Sequence, residues 1–200
     1  MFTTDDLKDL FAAFAARMAV ERDHLCALDG AIGDGDHGIA MEQGMAAAAK
    51  AATETDGTLQ DICNAAAKAF LNAVGASSGP LYATGLLRAG KALGPATSVP
   101  RIQLLQIIPA IRDGIAYRGK AQPGQKTMLD AWNPAAEAVL RGEPAAIVAK
   151  HANAGAEATG EMIASLGRAE RLGDRSKGHR DPGAVSAVML IELIAHGANS

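Results

Sequence analysis

Apolar residues recur at helical spacing along almost the whole chain, and this periodicity restricts the fold more than any other feature. In the first stretch, Leu7, Leu10, Phe11, Phe14 and Met18 lie three or four residues apart and so share one face of a helix. Similar spacing further along predicts eight helices and no convincing strand. The predicted helices, with a kink or split at Pro109 in the fifth, are Thr4–Ala27, Ile39–Ala52, Leu59–Val74, Pro80–Leu93, Pro100–Arg118, Thr127–Leu140, Pro144–Leu166 and Ala184–Gly197.

The amino-acid composition supports the same fold class. Hydrophobic residues make up 48% of the 200 residues, and many of them are alanine, whereas aromatic residues make up only 4%. Alanine favours helices, while strands draw on aromatic and β-branched residues. No internal repeat or linker divides the chain. We therefore predict a single all-α domain spanning residues 1–200, with its helices arranged as a bundle.

Charge and cysteine usage exclude several classes of protein. The formal net charge is −3 and there is no basic block, so a nucleic acid is not expected as a partner. Cys26 and Cys63 fall inside helical patterns and are expected to be small buried groups, as in a cytoplasmic protein. The first residues carry acids where a signal peptide needs basic and apolar ones, and no uncharged stretch reaches the length of a membrane span. We therefore predict a cytoplasmic protein without membrane contact.

Four polar, glycine-containing segments interrupt the helices, at residues 28–38, 75–80, 118–128 and 173–183. Each of them adjoins a helix end. In an up-and-down helical bundle, alternate connections lie at the same end of the molecule. If these four segments meet there, they form one composite site on a rigid scaffold, which is where functional residues are commonly found.

The first of these segments concentrates acidic residues. Asp29, Asp34 and Asp36 place three carboxylates within eight residues, and such groups repel one another unless a cation lies between them. Mg²⁺ binds carboxylate, phosphate and water oxygens, so these residues are candidate magnesium ligands. A calcium-binding EF-hand is excluded because its fifth and twelfth positions, counted from Asp34, are Gly38 and Met45. The alternative is a solvated acidic loop that only connects two helices.

The second and third segments, together with one histidine, carry groups that suit phosphate. Ser77 and Ser78 precede a helix, where backbone N–H groups and hydroxyls form an anion site, although such residues also serve as ordinary helix caps. Lys120 and Lys126 are candidate phosphate partners or simply solvated lysines. His37 either donates a hydrogen bond to a phosphate or orients its loop.

The last segment is positively charged, with Arg175, Lys177, His179 and Arg180. Arginine pairs well with phosphate, but the alternative is a solvated basic loop. Taken together, an acidic loop, two loops with glycine and hydroxyl groups and an arginine loop are what phosphoryl transfer needs, because that reaction depends on positioning and electrostatics. The residues by themselves therefore predict a site for a Mg²⁺–nucleotide complex on a helical bundle.

Four longer segments are similar, in order and spacing, to the L subunit of dihydroxyacetone kinase, and the resemblance covers nearly the whole chain. They are LDGAIGDGDHG, GASSGPLYATGLLRAG, RGKAQPGQKTMLDAW and LGDRSKGHRDPGA. The resemblance implies an eight-helix antiparallel barrel that binds ADP or ATP at one end. It also implies that Asp29, Asp34 and Asp36 hold two Mg²⁺ ions that bridge the nucleotide phosphates.

The same resemblance implies further roles around the nucleotide. Arg175 is implied as the catalytic residue, through its positive charge beside the transferred phosphate. The residues implied to bind the nucleotide are His37, Gly38, Ile39 and Ala40 beside the phosphates, Ser77 and Ser78 from the second loop, Gly119, Thr127 and Met128 at the adenine or ribose, and Arg175, Asp181, Pro182 and Gly183 from the last loop.

The resemblance further implies that the chain acts with partners. Dihydroxyacetone or a similar short ketose is held by a separate K subunit, and bound ADP receives its phosphoryl group from a phosphocarrier M subunit fed by phosphoenolpyruvate. A homodimer of the chain is a further candidate assembly. Three alternatives stay open: an ATP-dependent split ketose kinase, the nucleotide domain of a fatty-acid kinase, and a non-catalytic nucleotide-binding adaptor.

Overall fold

The computed structural model describes residues 1–75 and 77–199 of the chain, and this part is mostly helical. Three 3₁₀ helices lie at Arg101–Gln106, Thr159–Glu161 and Arg168–Ser176. The eight α-helices of the described residues are α1 (Thr4–Ile32), α2 (His37–Glu54), α3 (Leu59–Ala73), α4 (Ser78–Leu93), α5 (Ile107–Gly119), α6 (Leu129–Leu140), α7 (Ala145–Ala158) and α8 (Pro182–Asn199). The all-α prediction is confirmed.

Each helix packs against the next one along the chain, and α8 packs back against α1, so that the eight helices close into a ring. Every residue from Pro182 to Ile191 is buried, because α8 also contacts α6 and α2. Most connections between packed neighbours are short, which gives an antiparallel order. As a consequence, the connections α1–α2, α3–α4, α5–α6 and α7–α8 lie at one end of the ring.

Two helices begin with the same capping arrangement. Thr3 and Thr58 precede α1 and α3, and each side-chain oxygen accepts a hydrogen bond from the backbone N–H three residues later, at 3.2 Å in both cases. The carboxylates of Asp6 and Asp61 accept in return from the N–H groups of the two threonines. These exchanges satisfy donors that a helix start leaves unpaired. Thr3 is therefore the N-cap of the first helix.

Two predicted helix C-termini differ from the structure by more than two residues. α1 continues to Ile32 instead of ending at Ala27, so Asp29 lies in its last turns and not in a loop. α7 ends at Ala158 instead of Leu166, because the chain tightens there into a 3₁₀ helix. The first connection is thus shorter than predicted, and the fourth is longer.

The region around α5 confirms one prediction and corrects another. The predicted split is found slightly before Pro109: the 3₁₀ helix Arg101–Gln106 passes into α5, and the proline lies in the first turn, where its missing N–H is not needed. The prediction of no strand is wrong, because a short pair, β1 (Phe2–Thr3) and β2 (Ser98–Val99), forms an antiparallel ladder. This pair ties the N-terminus to the connection between α4 and α5.

Small residues let neighbouring helices approach closely. A Cβ atom on Gly114 of α5 would lie 2.8 Å from the Cα atom of Gly85, so α4 and α5 touch through their backbones. A Cβ atom on Gly44 of α2 would lie 2.4 Å from the ring of Phe70 on α3. Larger residues at these points would push the helices apart, because a close-packed interior has no spare volume.

Both cysteines are free thiols. Cys63 is buried, as predicted, and burial raises the pKa of its thiol to about 12. Cys26 is half-buried. No helix in the described ranges combines the length and the apolarity needed to span a lipid bilayer.

Candidate functional site

The four connections at one end of the ring enclose a cavity of about 470 Å³, a volume that suits a small-molecule ligand. Residues from every one of these connections lie on its wall, so the predicted meeting of the four loops is found in the structure. The predicted site residues on the wall are Asp29, Asp34, Asp36, His37, Ser77, Ser78, Gly119, Thr127, Met128, Asp181, Pro182 and Gly183.

The three aspartates converge on one side of this cavity. Each offers a carboxylate oxygen, and these oxygens all lie within 4.8 Å of one another. Asp29, which is 8% exposed, belongs to α1, whereas Asp34 and Asp36 are exposed. Oδ2 of Asp29 accepts hydrogen bonds from the backbone N–H groups of Asp36, at 3.0 Å, and His37, at 3.2 Å. The buried carboxylate therefore folds the connection back and brings the other two carboxylates towards it.

Glycines permit this tight path of the backbone. Gly35 has a φ of +80°, in the left-handed region where a side chain is strained. A Cβ atom at Gly33 would lie 2.2 Å from Oδ1 of Asp29. A larger residue at either position would disturb the arrangement of the carboxylates.

Arg168, which was not among the predicted site residues, supplies positive charge to the acidic cluster. Its Nη1 atom contacts Oδ2 of Asp34 and lies 3.7 Å from Oδ2 of Asp36. A bound cation would be attracted to the same two carboxylates. The signal for Arg168 in the sequence was weak: it lies in the polar, charged stretch 167–183, in which the predicted site residues were Arg175, Asp181, Pro182 and Gly183.

The donor set of the cluster fits Mg²⁺. Carboxylate oxygens are the hard ligands that this ion prefers, and it usually binds one or two of them together with phosphate and water oxygens. The cluster lies on the wall of an open cavity, where phosphate and water can reach it. Among the described residues, the cationic partner of Asp34 and Asp36 is the Arg168 side chain.

His37 begins α2 and lies on the cavity wall. Its Nε2 atom lies 2.9 Å from Oγ of Ser186 on α8. Burial lowers the pKa of the imidazole to about 4, although the carboxylate of Asp29 opposes this shift. The ring is therefore neutral near pH 7, and it offers hydrogen bonding but no positive charge to a bound phosphate.

The next three residues of α2 lie elsewhere. Gly38, Ile39 and Ala40 are not among the described residues of the cavity wall. Gly38 packs against α1, where a Cβ atom would lie 2.0 Å from the carbonyl oxygen of Arg22 and 2.8 Å from Sγ of Cys26. Their predicted contacts with phosphate stay predictions that this geometry does not favour. For Gly38, the close approach of two helices explains the glycine.

We expect Gly38→Ala to lower the free energy of unfolding by about 3 kcal/mol, because the added methyl group forces α1 and α2 apart. Urea denaturation followed by circular dichroism measures this change. The matched control is Gly30→Ala in an exposed part of α1, where the new Cβ atom would have its nearest neighbour at 3.9 Å and no loss is expected. Equal stability of the two variants would rule out the packing role.

The second connection brings two hydroxyl groups to the cavity. Ser77 is exposed just before α4, and Ser78 is buried at its first position. Within the described residues, the side chain of Ser77 makes no capping hydrogen bond, so the ordinary cap role is not observed. A Cβ atom at Gly79 would lie 2.1 Å from the carbonyl oxygen of Val74, which explains that glycine. The start of α4 is therefore a candidate anion site. Ala76 lies outside the described residues.

The third connection is organised by Asp130 in the first turn of α6. Its carboxylate accepts hydrogen bonds from the backbone N–H groups of Gly124 and Thr127, the latter at 2.8 Å. These bonds fix the path that leads to Met128, which is buried beside α8: a Cβ atom at Gly183 would lie 3.3 Å from the Met128 Cβ. The thioether gives the cavity an apolar side that suits a nucleobase.

Lys126 has a different role from the predicted phosphate contact. The residue is 1% exposed, and its ammonium donates to the carbonyl oxygens of Thr159, Met162 and His179. Burial lowers the pKa of this amine, and the carboxylate of Asp181 opposes the shift. Because the three carbonyls lie near both ends of the fourth connection, Lys126 ties that connection to the third.

Asp181 immediately precedes α8. Its Oδ2 atom accepts a hydrogen bond from the N–H of Ala184 at 2.7 Å. Burial raises the pKa of this carboxyl to about 7, and the carboxylate of Asp130 adds to the rise, while the hydrogen bond opposes it. The carboxyl therefore titrates in the physiological range when no ligand is bound.

Two predicted basic residues lie away from the cavity. Arg175 is exposed in the 3₁₀ helix Arg168–Ser176, Lys120 is exposed at the end of α5, and neither is among the described residues on the wall. The catalytic role of Arg175 stays a prediction. The basic wall residues that were not predicted are Arg118 and Arg168.

The sequence of this chain is similar to known nucleotide-binding subunits. The profile of the DAK2 domain matches residues 31–196. PEP-dependent dihydroxyacetone kinase 1, ADP-binding subunit DhaL, of Listeria innocua is 39% identical over 182 residues, which cover 90% of each chain. The ADP-binding subunit DhaL of the PEP-dependent dihydroxyacetone kinase of Escherichia coli is 36% identical over 189 residues, again covering 90% of each chain.

The fold is also found in a solved structure. The dihydroxyacetone kinase from C. freundii, in complex with AMP-PNP and Mg²⁺, matches with a TM-score of 0.74 and 24% identity. The match covers 95% of this chain and 33% of that longer chain, and it concerns the fold alone. The profile match and the alignments with the two relatives cover most of the sequence, and they show family membership as well as fold. This chain belongs to the DAK2-domain family, together with the ADP-binding subunits of PEP-dependent dihydroxyacetone kinases.

Proposed function

We propose that this chain is the nucleotide-binding subunit of a dihydroxyacetone-type kinase. It holds ADP or ATP with Mg²⁺ while a phosphoryl group passes to dihydroxyacetone or a similar short ketose. The observation that carries this proposal is the cluster of Asp29, Asp34 and Asp36 on the wall of a cavity built from four connections. The ADP-binding subunits to which the chain is similar support the same function.

The proposed nucleotide lies with its phosphates at the acidic cluster and its base against Met128. Asp29, Asp34 and Asp36 hold two Mg²⁺ ions, which supply charge neutralisation for the phosphates when bound. Asp29 also keeps the connection folded through its two backbone hydrogen bonds, so it both binds and positions.

The other wall residues bind and orient, and none of them needs to react covalently. Ser77 and Ser78 donate hydroxyl hydrogen bonds to phosphate oxygens at the start of α4. His37 lies beside them as a neutral hydrogen-bonding group. Gly119 borders the base or ribose, and Arg175 is proposed to neutralise charge on the transferred phosphate. In-line transfer then depends on positioning by the whole site.

We further propose that a separate K subunit binds the ketose and that a phosphocarrier M subunit rephosphorylates ADP in place. The PEP-dependent relatives support this donor over exchangeable ATP. The L-erythrulose 1-kinase of Mycolicibacterium smegmatis is 34% identical, and this chain covers 31% of its length, so other short ketoses are candidate substrates. The free thiols of Cys26 and Cys63 support a cytoplasmic location.

Thermal unfolding tests the nucleotide site. After removal of co-purified nucleotide, the unfolding midpoint is measured with ADP plus Mg²⁺, with ADP plus EDTA, with Mg²⁺ alone and with neither. A ligand at about a thousand times its Kd adds roughly 4 kcal/mol, which raises the midpoint of a chain of this size by about 8–16 °C. We expect this rise only when ADP and Mg²⁺ are both present. No rise under any condition would overturn the site.

Phosphoryl transfer separates a kinase subunit from an adaptor. With a dihydroxyacetone-binding K subunit and the phosphocarrier, phosphoenolpyruvate should yield phosphorylated dihydroxyacetone. Transfer from ATP without the phosphocarrier would favour the ATP-dependent alternative. Tight binding of ADP and Mg²⁺ without transfer under either condition would favour a nucleotide-binding adaptor.

A further inference from the structure

A small folded unit in the fourth connection lies beside the acidic cluster. It contains the 3₁₀ helix Arg168–Ser176, which begins after Gly167, whose φ of +79° reverses the chain. The hydroxyl of Ser176 donates to the carbonyl oxygen of Gly173 at 2.7 Å and accepts from the N–H of Ala164 at 2.9 Å. A hydrophobic cluster separate from the main core fixes the unit to the end of α1; its members, with one partly buried, are Ile32, Ala164, Ala169 and Leu172.

This unit holds Arg168 against the aspartates. Ala169, the next residue, is buried in the hydrophobic cluster with Ile32 of α1, so the backbone at Arg168 is held beside the end of that helix. From that position the guanidinium contacts Asp34 and lies 3.7 Å from Oδ2 of Asp36. The contact joins residues more than a hundred positions apart in sequence, so it depends on the docking of the unit and not on local chain geometry.

The negative charges of the three carboxylates are stabilised by different groups. Asp29 receives two backbone N–H groups, which remain in place whatever binds in the cavity. Asp34 and Asp36, in the described part of the chain, rely on the charge of Arg168. Two cations cannot share the same pair of oxygens without strong repulsion, since like charges this close oppose each other even in a partly solvated site.

We infer that Arg168 is a built-in competitor of the metal ion. In the ligand-free chain its guanidinium offsets part of the negative charge of Asp34 and Asp36, and a divalent cation displaces it in order to bind there. This inference rests on the proposed function, because it concerns the same carboxylates. It adds a residue that sets the metal affinity and that lies outside the predicted set of ligands.

The competition makes metal and nucleotide bind together. A divalent ion alone gains two carboxylates but must separate an existing ion pair, so its affinity is low. When the ion arrives with a nucleotide, the phosphates add ligands to the metal, which offsets the cost of separating the ion pair. The negative charge of the empty site is thereby partly offset without retaining a metal, and each ligand raises the affinity for the other.

Titration of the nucleotide-free chain with Mn²⁺, followed by the electron paramagnetic resonance signal of free Mn²⁺, tests this inference. Arg168→Met, which keeps a long apolar side chain but removes the charge, is expected to bind Mn²⁺ about tenfold more tightly than the wild type, which corresponds to about 1.4 kcal/mol. Arg168→Lys keeps a positive charge and is expected to stay within about twofold of the wild type.

The matched control is Arg17→Met, which removes the same charge from an exposed position of α1 outside the described cavity wall. It is expected to change the Mn²⁺ affinity by less than about twofold, because a solvated charge acts weakly at a distance. Equal Mn²⁺ affinity in the wild type and all three variants would overturn the competition while leaving the nucleotide site intact.

A second titration, with ADP at saturating Mn²⁺, separates the remaining explanations. Competition predicts that Arg168→Met binds ADP within about threefold of the wild type. At saturating Mn²⁺ the metal has already displaced Arg168 in the wild type, so both proteins lack the ion pair. If Arg168→Met leaves Mn²⁺ binding unchanged and loses ADP affinity, Arg168 is a phosphate ligand and the inference is wrong. If none of the four proteins binds Mn²⁺, with or without ADP, the proposed function fails together with it.

Discussion

Asp34→Ala is expected to weaken the Mg²⁺-dependent binding of ADP by at least about 100-fold, which corresponds to about 2.7 kcal/mol. The oxygens of the three aspartates lie within 4.8 Å of one another, and the variant leaves only two of these carboxylates for the metal. With fewer ligands the ion no longer offsets the charge of the phosphates. Calorimetric titration of ADP in Mg²⁺ and in EDTA measures the effect: the two affinities should differ in the wild type and become equal in the variant.

Asp34 tests the metal site more cleanly than Asp29. Asp29 accepts two backbone hydrogen bonds and is buried, so its removal would also unfold the connection. Asp34 is exposed, and its partner Arg168 is half exposed as well. Surface ion pairs contribute about 0–1 kcal/mol, so ligand-free Asp34→Ala should unfold with nearly the wild-type midpoint.

Asp56→Ala provides the matched control. It removes the same charge from a fully exposed side chain, whose ion pair with Lys8 has a separation of 3.7 Å and lies outside the cavity. This variant is expected to bind ADP with the wild-type affinity at every Mg²⁺ concentration. If Asp34→Ala binds as tightly as Asp56→Ala, Asp34 is not a metal ligand.

The sequence predicted the acidic cluster but not the helix that presents it. Three glycines near Asp29 suggested that the helix ends at Ala27, since isolated glycine disfavours helices. In the structure α1 continues to Ile32, because packing against α2 and α8 stabilises it beyond what local propensity predicts. The end comes only at Gly33, where a Cβ atom would collide with the Asp29 carboxylate. Tertiary contacts of this kind are not visible in a single sequence.

The basic residues were harder to assign, for a related reason. Three closely spaced aspartates can be identified from the sequence alone. The role of a lysine or arginine, in contrast, depends on which distant groups surround it in the fold. Lys126 meets carbonyls 33 and 53 residues away, and Arg168 meets aspartates in the first connection. The family resemblance therefore favoured Arg175, and loop position left Lys126 as a solvated or phosphate-binding residue, although the fold places the charge of Arg168 at the cluster.

Lys126→Met is expected to lower the free energy of unfolding by about 3 kcal/mol and the unfolding midpoint by about 6–12 °C. The ammonium donates to three carbonyl oxygens in a place where only 1% of the residue is exposed. Methionine fills a similar volume but donates nothing, so buried carbonyls lose their partner. Removing a buried charge relieves some desolvation, and for this reason the loss is smaller than the sum of three charged hydrogen bonds.

Lys120→Met is the matched control for this variant. Both lysines have left-handed backbone conformations, with φ values of 61° for Lys126 and 54° for Lys120, so the substitution changes backbone strain equally. Lys120, however, is exposed. We expect its replacement to change the free energy of unfolding by less than about 0.5 kcal/mol. If the two variants unfold at the same denaturant concentration, the three hydrogen bonds of Lys126 contribute nothing to stability.

The Lys126→Met variant also shows whether the stability of the chain and its affinity for ADP depend on the same contacts. Lys126 links the third connection, which carries Thr127 and Met128, to the fourth, which carries Asp181. If this link positions the cavity wall, Lys126→Met should weaken ADP binding at saturating Mg²⁺ by about tenfold at a temperature where the variant is still fully folded. If it loses stability but keeps the wild-type affinity for ADP, the wall is set by the helices alone. The two connections would then move independently, because the ring of helices would position each of them without the lysine.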